Sequence, residues 1–111
     1  MKTTTLILPL IHLGGTSPIT LMEDYSAARL ALEEALRLLS VSYHDRDYYL
    51  LGQDIHREAR SQHLERCAAI GSVIVALRSM QDHAADERDA RDNARAAADA
   101  AYADAYDADH R

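Results

Sequence analysis

Between residues 18 and 40, apolar side chains recur at alternating spacings of three and four: Tyr25, Ala28, Leu32, Ala35 and Leu39. That interval lines one face of an α-helix. Leu21, Met22, Leu36 and Leu38 widen the stripe, while Glu23, Asp24, Arg29, Glu33, Glu34 and Arg37 fill the remainder. A second stripe follows from Asp54, a suitable N-cap: Ile55, Ala59, Leu64 or His63, Cys67, Ile70, Ile74 and Leu77. Polar turn formers and three tyrosines separate the two over residues 41–53, with Gly52 near the end. Two amphipathic helices joined by such a loop predict an antiparallel hairpin. The chain has no Phe and no Trp, so its core must be built from aliphatic side chains, which suits packed helices. At 111 residues with few bulky groups, the expectation is one domain that gains stability by oligomerising.

The segment before the first helix reads differently. Residues 3–13 are Thr-rich and then apolar on both faces from Leu6 to Leu13, which predicts a short β-strand. Pro9 places it at an edge. No second strand is evident, so its backbone groups are expected to pair with those of a copy in another protomer. After the hairpin the composition shifts. Residues 84–111 hold twelve Ala, eight acids and four Arg, a net of −4 out of the chain's −6. They predict a solvated helical extension. The expected fold is therefore mainly α: a strand plus helical hairpin over 1–83, and an Ala-rich acidic helical tail over 84–111.

Charge narrows the function classes. With a single Lys, interleaved Arg and a net charge of −6, the chain lacks the clustered cations that nucleic-acid binding demands. One cysteine, Cys67, excludes an internal disulfide and fits a reducing cytoplasm. No run approaches membrane-spanning length, and the first thirteen residues lack a small-x-small cleavage site.

Two motifs remain. Gly14-Gly15-Thr16-Ser17 precedes Pro18, so Ser17 caps a helix whose free N–H groups face the turn. That is an anion-binding arrangement, with His12 beside it. Arg46-Asp47-Tyr48-Tyr49 places a guanidinium and two stacking rings in one loop. The bland alternatives are a satisfied cap and a loop that covers the end of the hairpin. His56, His63 and Cys67 share helical spacing but are too few for a metal set, so no metal or cofactor is expected. No nucleophile–base pair stands out, and an enzyme is not expected.

His12-Leu13-Gly14-Gly15-Thr16-Ser17 together with Arg46-Asp47-Tyr48-Tyr49 and Gly52 resembles a group of small uncharacterised accessory proteins from phages and prophages of proteobacteria. In that group His-Leu-Asn-Gly-Thr-Ser opens a helix, and Gly-Arg-Asp-Tyr-Tyr joins it to a second. The match covers residues 6–80; Gly14 stands where Asn is usual, and the tail is extra. The resemblance implies a non-enzymatic, counter-defence setting. The leading expectation is sequestration of a phosphate-bearing or nucleotide-derived signal by His12, Gly14, Gly15, Thr16, Ser17, Arg46, Tyr48 and Tyr49. The alternative is a protein-interaction module that inhibits a host protein through its helical surface and acidic tail. The two motifs lie at opposite ends of the first helix, so a joint site requires different protomers.

Overall fold

The computed structural model describes residues 5–109. The first helix, α1, runs Pro18–Ser42. Ser17 caps it: its Oγ accepts from the Thr20 backbone N–H at 3.2 Å, and Pro18 occupies the first turn. Glu23, Asp24 and Arg37 all lie outside the terminal turns, so the helix dipole gains little from them. Two short 3₁₀ turns, Asp45–Asp47 and Tyr49–Leu51, bridge to the second helix. Gly52 (φ 104°, ψ 153°) then reverses the chain. Such a backbone is essentially restricted to glycine. The second helix, α2, spans Gln53–Asp109 without interruption. The compositional change at Ala84 leaves no mark on the backbone, and Ala84 itself is fully buried.

α1 packs against the first half of α2 as the expected antiparallel hairpin. The least exposed positions define the seam. On α1 they include Pro18, Met22, Tyr25, Arg29, Leu32, Leu36, Leu39 and, just past its end, Tyr43; on α2, His56, Ala59, His63, Cys67, Ile70, Ile74, Leu77, Gln81 and Ala84. Steps of three and four throughout give left-handed, coiled-coil-like packing. Ala28, Ala35 and Ile55, expected on the inner stripe, are exposed instead, and of the alternatives Leu64 and His63 it is His63 that faces the seam. The core is thin: among the described residues only Pro18, Ile74 and Ala84 are buried.

No β-strand forms among the described residues of the single chain; the strand expected over residues 3–13 (residues 3 and 4 lie outside the described range) and its pairing with another protomer are not shown. The segment before α1 is extended and irregular. It lies against α2, where the Pro9 carbonyl meets His83 Nε2 at 3.0 Å. A side chain thus supplies the contact a neighbouring strand would have made, and Pro9 has no N–H to offer a ladder. Beyond the hairpin, residues 89–108 of α2 are exposed on every side. The molecule measures 89 × 28 × 20 Å. No helix among the described residues is long and apolar enough to cross a membrane.

Candidate functional site

The Gly-Gly turn is built around His12. Gly15 N–H donates to the His12 carbonyl at 3.1 Å, and the imidazole folds back over the turn. A Cβ on Gly15 would stand 2.7 Å from His12 Nε2, so the close approach of the ring requires a glycine there. Part of the expected anion site is already committed. Ser17 Oγ accepts from Thr20 N–H and donates to Thr20 Oγ1 at 2.9 Å. Gly15 N–H is used within the turn, and Pro18 has none. The amides of Gly14, Thr16 and Ser17 appear in no hydrogen bond among the described residues.

The other constellation sits at the far end of α1. A 25-residue helix spans about 37 Å, so one chain does not bring the turn and the Arg46-Asp47-Tyr48-Tyr49 loop together. Within the loop the residues divide. Tyr48 turns inward and stacks on Tyr43 with ring centroids 5.2 Å apart; the other neighbour of Tyr43 is His63, at 4.8 Å. Tyr49 is 59% exposed. Arg46 is exposed and makes no ion pair with another described residue.

Tyr43 and Asp45 are the residues that sequence reasoning passed over, while His63 enters it only for the inner stripe and for metal. Asp45 Oδ1 meets His56 Nε2 at 3.0 Å and ties the loop to the first turn of α2. This contact, with a smaller contribution from Tyr43, holds the Asp45 carboxyl below the ordinary aspartate range. The Tyr43 hydroxyl is out of water and meets no partner at hydrogen-bonding geometry. Burial first, and the nearby Asp45 carboxylate second, raise its pKa above that of an ordinary tyrosine. The available signal was register: Tyr43 continues the α1 seam one turn past Leu39, and His63 falls between Ala59 and Cys67.

A cleft of about 200 Å³ opens beside this stack, lined by Leu39, Ser42, Tyr43, Tyr48, Ala59, Gln62, His63 and Arg66. Its chemistry is that of a small polar or anionic group: one guanidinium, an amide, hydroxyls and aromatic faces. His63 Nε2 and Cys67 Sγ lie 3.6 Å apart, but no group of three metal-ligating side chains forms among the described residues. No family model matches the chain, and neither a curated protein nor a solved structure shows significant similarity to it.

Proposed function

We propose that the protein is a non-enzymatic interaction module: a helical hairpin that holds an acidic helical arm out to a protein partner. The observation that carries this reading is the arm itself. Residues 89–108 continue α2 beyond the end of α1 with every residue exposed to solvent. A lone Ala-rich helix in water is marginal, whereas one laid in a groove of another protein is a common recognition mode. Its acids call for a partner groove rimmed by Lys or Arg, with Tyr102 and Tyr106 as aromatic contacts. The resemblance to phage accessory proteins makes an inhibited host protein in the cytoplasm the natural partner class.

A second reading keeps the nucleotide-like ligand but moves it to the loop-end cleft. The buried, unpartnered Tyr43 hydroxyl favours it, and Arg66 joins Tyr48 as a binding residue. His12, Gly14, Gly15, Thr16 and Ser17 would then serve the turn rather than the ligand. Arg46 and Tyr49 would contribute from the rim.

One experiment separates the two. The full chain and a chain ending at Arg88 are used to capture proteins from host lysate, and the captured protein is then titrated against both. Tight binding by the full chain and a loss of at least tenfold on truncation is the result expected of the arm. Equal affinity for both chains would sink it. A nucleotide-sized extra mass in native mass spectra of the purified chain would favour the cleft.

A further inference from the structure

The two sides of the hairpin are chemically unlike. Consider positions one residue before each seam position. On α1 the central ones are Ala28, Ala31, Ala35 and Leu38; on α2 they are Ala69, Val73, Ala76 and Met80. Antiparallel helices wind in opposite senses when viewed along one direction, so these two rows fall on the same side of the hairpin. The rows one residue after the seam share the other side. There Arg78 reaches across to Glu33 at 3.4 Å, joined by Arg37, Arg57 and Arg60.

The first side is therefore free of charge along its middle; its charges lie at its ends. Asp24 and Glu87 are at the open end, where residues 8–11 lie beside His83 and Glu87, and Glu58 and Arg66 are at the loop end. An apolar centre with a polar rim is the anatomy of a protein interface. Leu38 is 52% exposed and Val73 48%. The alanines between them let a facing helix approach closely.

Surface area names the need. The chain exposes 8,784 Å², where a compact monomer of 12.3 kDa exposes about 6,100 Å². Part of that excess is the arm, exposed over residues 89–108; a standard interface on the hairpin removes about 800 Å² from each partner. We infer that a second copy of this chain covers the Leu38–Val73 side, forming an antiparallel four-helix bundle about a two-fold axis that lies in the interface and runs perpendicular to the helices. The rim charges select this arrangement. It sets the loop end of each chain, where Arg66 and Glu58 offset each other, against the acidic Asp24–Glu87 end of the other, whereas parallel hairpins would set the acids against each other. The surface lies apart from the arm, and both arms stay free, pointing in opposite directions.

The test uses light scattering behind size exclusion on the full chain across the micromolar range, with circular dichroism on the same samples. The wild-type chain is expected at twice its sequence mass. Leu38→Glu with Val73→Glu should halve that mass. Leu64→Glu with Val75→Glu places two charges at equally exposed positions on the other side and should keep both dimer mass and helix content. If the first pair also loses helix, the intact control assigns that loss to the covered side. Arg66→Glu should weaken the dimer, and adding Asp24→Arg should restore it. A monomeric wild-type chain overturns the inference, as does a dimer that survives Leu38→Glu with Val73→Glu, or one that both pairs disrupt equally. Failure of the charge swap to restore association overturns the antiparallel arrangement.

Discussion

Single residues at the loop explain why it holds one shape without a hydrophobic core beneath it. Gly52 supplies a backbone conformation closed to other residues, and the 3.0 Å contact between Asp45 and His56 pins the first 3₁₀ turn to α2. Because that contact holds the Asp45 pKa below its ordinary value, the carboxylate contributes to stability above the ordinary aspartate range. The contribution is lost as pH falls through the lowered value. Amide protection over residues 45–52, taken as exchange relative to the intrinsic rate at each pH, should therefore fall on acidification below about pH 4, the ordinary carboxyl range. Asp45→Asn should show fast exchange in that segment already at neutral pH. A variant with wild-type exchange at neutral pH would mean that Gly52 and the Tyr43–Tyr48 stack fix the loop alone.

At the scale of elements, the hairpin was legible because its signal is periodic. Steps of three and four placed α1 within two residues of its observed ends and picked Leu32, Leu39, Cys67, Ile70, Ile74 and Leu77 as inner residues. The same signal misplaced Ala28, Ala35 and Ile55, while of the alternatives Leu64 and His63 the seam takes His63; the error is informative for the two alanines. They occupy the uncharged row beside the seam, where an apolar residue is equally at home if a second chain covers it. Sequence pattern cannot separate a seam from an adjoining interface. The expected strand is not seen in the single chain, where the segment touches α2 at His83 and leaves Ile7, Leu10 and Leu13 exposed. Of the site, the turn and the loop were visible as motifs, but the Tyr48–Tyr43–His63 stack depends on contacts twenty residues apart. The thin core gives an element-scale prediction. Ile74, 7% exposed at the seam, should cost about 2–4 kcal/mol when truncated to Ala. Leu64, 58% exposed, should cost less than about 1 kcal/mol. Urea unfolding followed by circular dichroism reads both; similar losses would place the burial elsewhere than the seam.

The whole molecule is governed by its asymmetry of packing. A radius of gyration of 23.9 Å compares with about 13 Å for a compact domain of this length, and the difference comes from a helix more than twice as long as its partner. Half of α2 is held by tertiary contacts and half by hydrogen bonds within the helix, so the two halves should open with different free energies. Arg91 and Arg95 lie in the exposed part, while the Arg88 Nε is already buried at the edge of the hairpin. Limited trypsin treatment should therefore cut first after Arg91 and Arg95 and leave a fragment that resists further cleavage. Arg29, Arg78 and the loop residue Arg46 should follow more slowly: the first two are engaged by Glu33, and the third sits in a pinned turn. Binding of a partner to the arm should slow the first cuts and leave the later ones unchanged, whereas assembly through the hairpin side should do the reverse. First cleavage at Arg46 would show that the loop, not the arm, is the least protected part of the chain.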